Sequence, residues 1–282
     1  MVTTDLNLLL LHLPAVDQKH YKPRTCPFGW DQPKFYWIFK NIDFNKWQVA
    51  ANDSEVLWLS GPAKCRISDA SSHIVDLAKE KYLEAQHSVL YFFCSTAPRK
   101  TPIAKAFVST IVCQLICCTP ELKQEITTIF LRALYDAILE EPLSKAGAHR
   151  FYADDSAEVT VKFFLEASSD AYWRALMAVT GNGCQWEKGL SLIIDGLDKV
   201  EDQKYDFIQK LLAFTEHLQE RPFTTRVLLT SRPQAEMKEI LGKLPSIEYD
   251  KERKGWFTFF LILNLRTNEV AKNCRMSEQP SF

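Results

Sequence analysis

The chain has 282 residues, enough for one large α/β domain or two small ones, and its 46% hydrophobic content can build a sizeable core. With 34 basic against 35 acidic side chains the formal net charge is -1, and no long run of like charge marks a nucleic-acid groove or a polybasic membrane patch. No segment reaches the ~20 apolar residues needed to span a bilayer.

Residues 1–25 are mixed and carry Pro14 and Pro23, which reads as a poorly ordered leader. The start lacks a basic n-region and His12 interrupts the run from Leu8 to Leu11, so it does not read as a signal peptide, and a cytoplasmic protein is expected. Residues 26–50 form an aromatic-rich lead-in, from Phe28-Gly29-Trp30 to Trp47. Val56 to Ser60 then reads as a buried strand entering a turn at Gly61-Pro62. Helical spacing runs from Ser71 to Ala85, and Ser88 to Cys94 is a second strand. The spacing predicts helices over 103–118 and 121–139, with Pro120 in the first turn of the second and Thr119 as its cap.

Glu141 to Asp155 reads as loop and 157–179 as helix. Gly189 leads into a third strand, Leu190 to Asp195, which ends in a carboxylate. An amphipathic helix from Phe207 to Leu218 precedes a fourth strand, Arg226 to Thr230. A short helix over 235–244 and a fifth strand, Ile247 to Tyr249, complete the pattern. Short apolar strands alternating with helices predict a three-layer α/β domain with a five-stranded, mainly parallel sheet over 51–250. Residues 251–282 read as a divergent tail, whose apolar run from Gly255 to Leu263 is too short to cross a membrane.

The eight cysteines, at 26, 65, 94, 113, 117, 118, 184 and 274, form no CxxC pair and no regular framework. Cys113 and Cys117, four apart, fall on one helix face. Free thiols packed in a core, in a reduced compartment, are expected, with no zinc site.

The turn after the first strand carries the chemical interest. A phosphate-binding loop, GxxxxGK[ST], follows a strand and opens a helix, so that backbone N–H groups, a lysine and a hydroxyl surround phosphate and magnesium. In that context stands Gly61-Pro62-Ala63-Lys64-Cys65-Arg66-Ile67-Ser68. Gly61 and Ser68 match; Arg66 replaces the second glycine and Ile67 the lysine, and Asp69 adds a negative charge beside the phosphate position. Asp195 sits where a Walker B carboxylate would hold magnesium, Asp198 follows three residues later, and Arg232 ends the next strand where a sensor group would face the γ-phosphate. Singly, Asp195 also suits a helix cap, Asp198 a solvated turn and Arg232 a surface charge. In this order and spacing they support one another.

The joint pattern resembles the NACHT branch of the STAND-type P-loop NTPases, in the form common in large fungal signalling proteins. The resemblance covers roughly residues 26–250. It rests on Cys26, Trp37-Ile38-Phe39, Phe44 and Trp47, on Leu57 to Ala63, on His73 to Asp76 and Val89 to Cys94, and on Ile193 to Asp198 and Leu228 to Pro233. It implies a P-loop NTPase-like fold, with Gly61, Ser68, Asp195, Asp198 and Arg232 as remnant nucleotide positions and Ser68 and Asp195 as the magnesium ligands if nucleotide binds. The departures are Lys64-Cys65-Arg66-Ile67-Ser68 in place of Gly-Ser-Gly-Lys-Ser, and Lys199 where an acid usually follows Asp198. The helical and winged-helix segments, repeats and effector domains usual in the family are not in this sequence.

Losing a lysine–phosphate bond costs roughly 1.5–3 kcal/mol, and a side chain where the loop requires φ > 0 adds about 1–2 kcal/mol. The two together weaken affinity on the order of a hundred- to several-thousand-fold. The expectation is a degenerate binding or regulatory module in STAND-type signalling, without efficient hydrolysis and with no cofactor. Its partners would be NACHT-domain proteins or further copies of itself, neither nucleic acid nor membrane. The alternatives are an active switch that takes Mg-ATP or Mg-GTP through an atypical loop, and a truncated non-functional remnant.

Overall fold

Each of the five apolar runs forms a strand: β1 Glu55–Ser60, β2 His87–Phe93, β3 Gly189–Asp195, β4 Thr225–Ser231 and β5 Ser246–Glu248. They were located in a computed structural model that describes residues 13–18, 38, 41–49, 55–63, 65–81, 87–94, 101–140, 164–181 and 189–249. The strands form one sheet in the order β2-β3-β4-β1-β5, and every pairing is parallel. The helices are α1 Ile42–Val49, α2 Ile67–Lys81, α3 Ile103–Cys118, α4 Lys123–Glu140, α5 Ser169–Thr180, α6 Lys204–Gln219 and α7 Ala235–Leu241.

Side chains alternate along each strand, so the sheet feeds two cores. Val56 and Trp58 of β1, Leu90 and Phe92 of β2 and Leu192 and Ile194 of β3 enter a large cluster with α3, α4, α5 and α6. Leu57 and Leu59 of β1, Tyr91 and Phe93 of β2 and Leu228 of β4 enter a smaller one with Phe44 and Trp47 of α1 and Ile74 and Val75 of α2. Burial on both faces is why β1 to β4 read as largely apolar runs; β5, Ser246–Glu248, buries only Ile247. Helices cover both faces, giving the three-layer α/β arrangement expected. Among the described residues no single helix is long and apolar enough to cross a membrane.

Several local expectations need correction. Helix α2 starts at Ile67 rather than Ser71, because the Arg66 carbonyl already accepts from the backbone N–H groups of Asp69 and Ala70. Thr119 does not cap the helix after it; its hydroxyl donates back to the Leu115 carbonyl at 2.7 Å, and Pro120–Leu122 is a 3-10 turn. The helix read over 157–179 is broken: a helical turn at 164–166 gives way at Ala167, and Ser168 caps α5 by accepting from the Ala171 N–H at 3.1 Å. Within the expected leader, Leu13, Val16 and Gln18 are buried, and the Val16 N–H donates to the Thr110 hydroxyl. Cys65 and Cys94 are packed as expected, but Cys117 and Cys118 are exposed at the end of α3. Of the lead-in, Ile38, Phe44 and Trp47 join the smaller core. Cys26, Trp37, Phe39, Cys184, Cys274, the loop 141–155 and the tail 251–282 lie outside the described residues.

Candidate functional site

The carboxyl ends of β1, β3 and β4 converge on one crevice, as strand ends of an open parallel sheet do. Asp195 ends β3, one strand removed from β1 with β4 between them. Its side chain is only 1% exposed, so its carboxylate needs partners within the protein. Three hydroxyls supply them. Ser71 and Thr230 donate to Oδ1 at 2.9 and 2.8 Å, and Ser68 donates to Oδ2 at 2.7 Å. The Gly196 N–H in turn donates to the Thr230 hydroxyl at 3.1 Å, tying β3 to β4.

The loop from Gly61 to Ser68 wraps one side of this crevice; Lys64 within it lies outside the described residues. Gly61 is a glycine for packing reasons, since a Cβ there would lie 2.7 Å from Ile67 Cδ1 and 2.8 Å from Tyr249 Cβ. Ile67, at the lysine position, is partly buried against the smaller core. Arg66, at the second glycine position, has φ 64°, the left-handed region that costs an L-residue about 1–2 kcal/mol. A non-glycine residue thus holds a backbone conformation that favours glycine. The Arg66 guanidinium pairs with Asp69, so the negative charge expected beside the phosphate position is matched locally.

Beyond β3, Gly196 is left-handed at φ 78° and turns the chain into the 3-10 segment Leu197–Lys199. Leu197 and Val200 are buried and pin this segment. Lys199, between them in sequence, reaches back so that Nζ donates to the Ser68 hydroxyl at 3.2 Å and lies 3.9 Å from Asp195 Oδ2. Asp198 is no solvated turn residue: its side chain is 6% exposed. Its Oδ1 accepts from the Arg232 backbone N–H at 3.0 Å, and the Arg232 guanidinium lies 3.3 Å from its Oδ2. Nearby, the Cys94 thiol is pushed far up, first by burial and then by the charge of Asp195, so it stays protonated.

Gly61, Ser68, Asp195, Asp198 and Arg232 thus line one crevice with Thr230 and Lys199, and the fully buried Ser71 holds Asp195 Oδ1. Of the last three, Ser71 was missed because it sits in a polar stretch of α2 with no motif of its own. Thr230 was read only as part of the Arg232 segment. Lys199 was noticed only as a missing acid.

The arrangement does not fit magnesium well. A hard dication demands near-octahedral oxygen coordination. Here the Ser68 hydroxyl and Asp195 Oδ2 are bonded to each other, and an ammonium lies against both. The crevice encloses about 230 Å³, below the ~300–1,000 Å³ of ordinary ligand pockets. Every described cation facing it has a carboxylate: Arg66 with Asp69, Lys199 with Asp195, Arg232 with Asp198.

Against known proteins, the family described as Nephrocystin 3, N-terminal, matches residues 34–232, which takes in β1 through β4 and the whole crevice. No curated protein matches the chain.

Proposed function

The chain belongs to the Nephrocystin 3, N-terminal family, and on that premise we propose that it is a regulatory or scaffold module on a P-loop NTPase-like frame of NACHT type, working without efficient NTP hydrolysis. One observation carries this reading. Among the described residues, the loop at the phosphate end of the crevice lacks a free cation while the sheet beneath it is fully formed: Arg66 holds a left-handed backbone and pairs with Asp69, Ile67 packs against the smaller core, and Lys199 is engaged with Ser68 and Asp195. Strand and helix burial supplies roughly 25 cal/mol per Å² of apolar area, so such a domain keeps its shape without a ligand. Its surface is then free to associate with NACHT-domain relatives or with a second copy, entering a signalling assembly without cycling it. Should any nucleotide bind, Gly61, Ser68, Asp195, Asp198 and Arg232 are the residues proposed to meet Mg-ATP or Mg-GTP.

Calorimetry of the purified chain with Mg-ATP and Mg-GTP tests this. The expected result is no saturable binding below the millimolar range. The triple change Arg66→Gly, Ile67→Lys and Lys199→Glu should then raise affinity by on the order of a hundredfold or more with the fold intact. Micromolar binding by the unaltered chain, abolished by Asp195→Ala, would sink the proposal.

A further inference from the structure

We infer that the Lys199 ammonium occupies the seat of a divalent cation, holding Asp195 and Ser68 in register so that the crevice neither needs nor admits magnesium. This rests on the reading of the crevice as a degenerate phosphate site.

The geometry is specific. Asp195 Oδ1 is satisfied by two hydroxyls, Ser71 and Thr230, and that half of the carboxylate is closed. Oδ2 faces Ser68 at 2.7 Å and the Lys199 ammonium at 3.9 Å, and the same ammonium donates to Ser68 at 3.2 Å. The two oxygens that a cation would bridge are therefore both against one positive charge. An ammonium is a compact point charge with three donors and no acceptor, so it takes on the electrostatic task of a metal ion at a carboxylate–hydroxyl pair.

The backbone is arranged to bring that charge back. Gly196 adopts φ 78°, and a Cβ on it would stand 3.1 Å from Lys199 Cδ and 3.3 Å from its Nζ. The lysine side chain folds over the bare glycine, and a side chain at 196 would crowd it by a few tenths of an ångström as well as strain the left-handed backbone. The Lys199 N–H donates to the Gly196 carbonyl at 2.9 Å, and the buried Leu197 and Val200 on either side fix the turn. A charge tethered four residues from its carboxylate competes as an intramolecular ligand, at a high effective concentration that dissolved Mg2+ must overcome.

The test is a stability cycle on the full chain with Lys199→Met, Asp195→Asn and the double variant, each melted with EDTA and with millimolar MgCl2. The unaltered chain should melt at the same temperature in both. Lys199→Met should melt about 3–6 °C lower in EDTA, because a buried carboxylate has lost its cation, and MgCl2 should restore more than half of that loss. In the Asp195→Asn background, Lys199→Met should change little and MgCl2 should do nothing. A magnesium-dependent rise in the unaltered chain that Asp195→Asn abolishes would overturn the inference, because the seat would be open. So would additive effects of the two substitutions, or coupling between them that MgCl2 does not relieve. Should Lys199→Met fail to fold, Lys199→Gln carries the same comparison, and loss of the Mn2+ spin-resonance signal on mixing with the unaltered chain reads directly whether the seat is open. The divalent cation, Mg2+ or Mn2+, is always added without nucleotide. A chain that binds nucleotide yet ignores Mg2+ breaks the proposed function and leaves the Lys199 inference standing.

Discussion

The bodies of the strands and their carboxyl ends place different demands on their residues. In the bodies, Leu57, Phe92, Ile194 and Leu228 are buried to within 1% exposure, and what each must be is apolar and of about the right volume. At the ends, Asp195, Ser68, Thr230 and Asp198 each need particular polar partners at hydrogen-bond distance. The two sets of residues scarcely overlap, so a sequence can lose the second chemistry and keep the first. That separation lets Arg66 and Ile67 stand in the loop after β1 over a fully formed sheet. The charges at the ends are also matched: each described cation facing the crevice has a carboxylate.

The contrast breaks most readily from the body. Phe107 of α3 is fully buried and meets Phe92, Trp173 and Phe207 with ring centroids 5.3, 5.2 and 5.6 Å away. Phe107→Ala should lower stability by about 3–5 kcal/mol, since the cavity adds to the lost transfer energy. Urea unfolding followed by tryptophan fluorescence measures it. A loss below about 1 kcal/mol would mean that this part of the core can collapse onto the gap or is loosely packed.

What the sequence discloses follows the same division. Strands β1 to β4 are legible because burial on both faces leaves apolar runs ended by turn residues, whereas β5 shows only Ile247 to the core. Helix α3 was placed at both ends because Pro102 and Thr119-Pro120 bracket it. The start of α2 was not, because Ser68, Ser71 and Ser72 spend their hydroxyls or their burial inside the domain and so break the apolar period. The break at Ser168 carried a readable cap signal, Ser168-Ser169-Asp170, but apolar residues on either side kept helical spacing and masked it. At the crevice, Gly61, Ser68, Asp195, Asp198 and Arg232 were legible from order and spacing. The bond from Lys199 to Ser68 spans 131 positions, and only the folded chain reveals it.

The loop backbone offers a sharper test of the same division. Arg66 at φ 64° stores strain, and its guanidinium is engaged in an ion pair with Asp69. Arg66→Gly relieves the strain but loses that pair, worth about 0.2–1 kcal/mol, and gives the unfolded chain more freedom, worth roughly 0.5–1 kcal/mol. It should therefore change stability by no more than about 0.5 kcal/mol. Arg66→Val loses the pair and forces a β-branched residue into the left-handed region, so it should cost about 1–2 kcal/mol. The gap between the two variants, read as urea midpoints at equal slope, isolates the backbone term. Equal midpoints would mean that the loop has abandoned the glycine conformation.

The smallest expected effect lies at the other end of the sheet, where α6 runs toward the start of β4. His217, in the last turn of α6, lies flat against Phe214 at 6.5 Å, and the Arg221 guanidinium donates to its ring at 3.1 Å from Nδ1. That bond requires a ring nitrogen with a free lone pair, hence the neutral imidazole. Partial burial first, and the Arg221 charge second, hold the His217 pKa below its ordinary 6.5. The sign follows from proton uptake: with the folded value lower, the unfolded chain binds the proton first as pH falls. The stability that neutral His217 contributes is whole above about pH 6.5 and is lost as pH drops from there toward the folded value. A cationic histidine at a helix C-terminus would ordinarily be favourable, so the Arg221 contact and burial must outweigh the helix dipole here. Urea midpoints between about pH 7.5 and 5.5 should fall more for the unaltered chain than for His217→Gln. The difference should be small, because the ring is only partly buried and screening weakens the Arg221 charge. Parallel profiles for the two proteins would show that the ring takes up its proton equally well folded and unfolded, and that the Arg221 contact does not persist in solution.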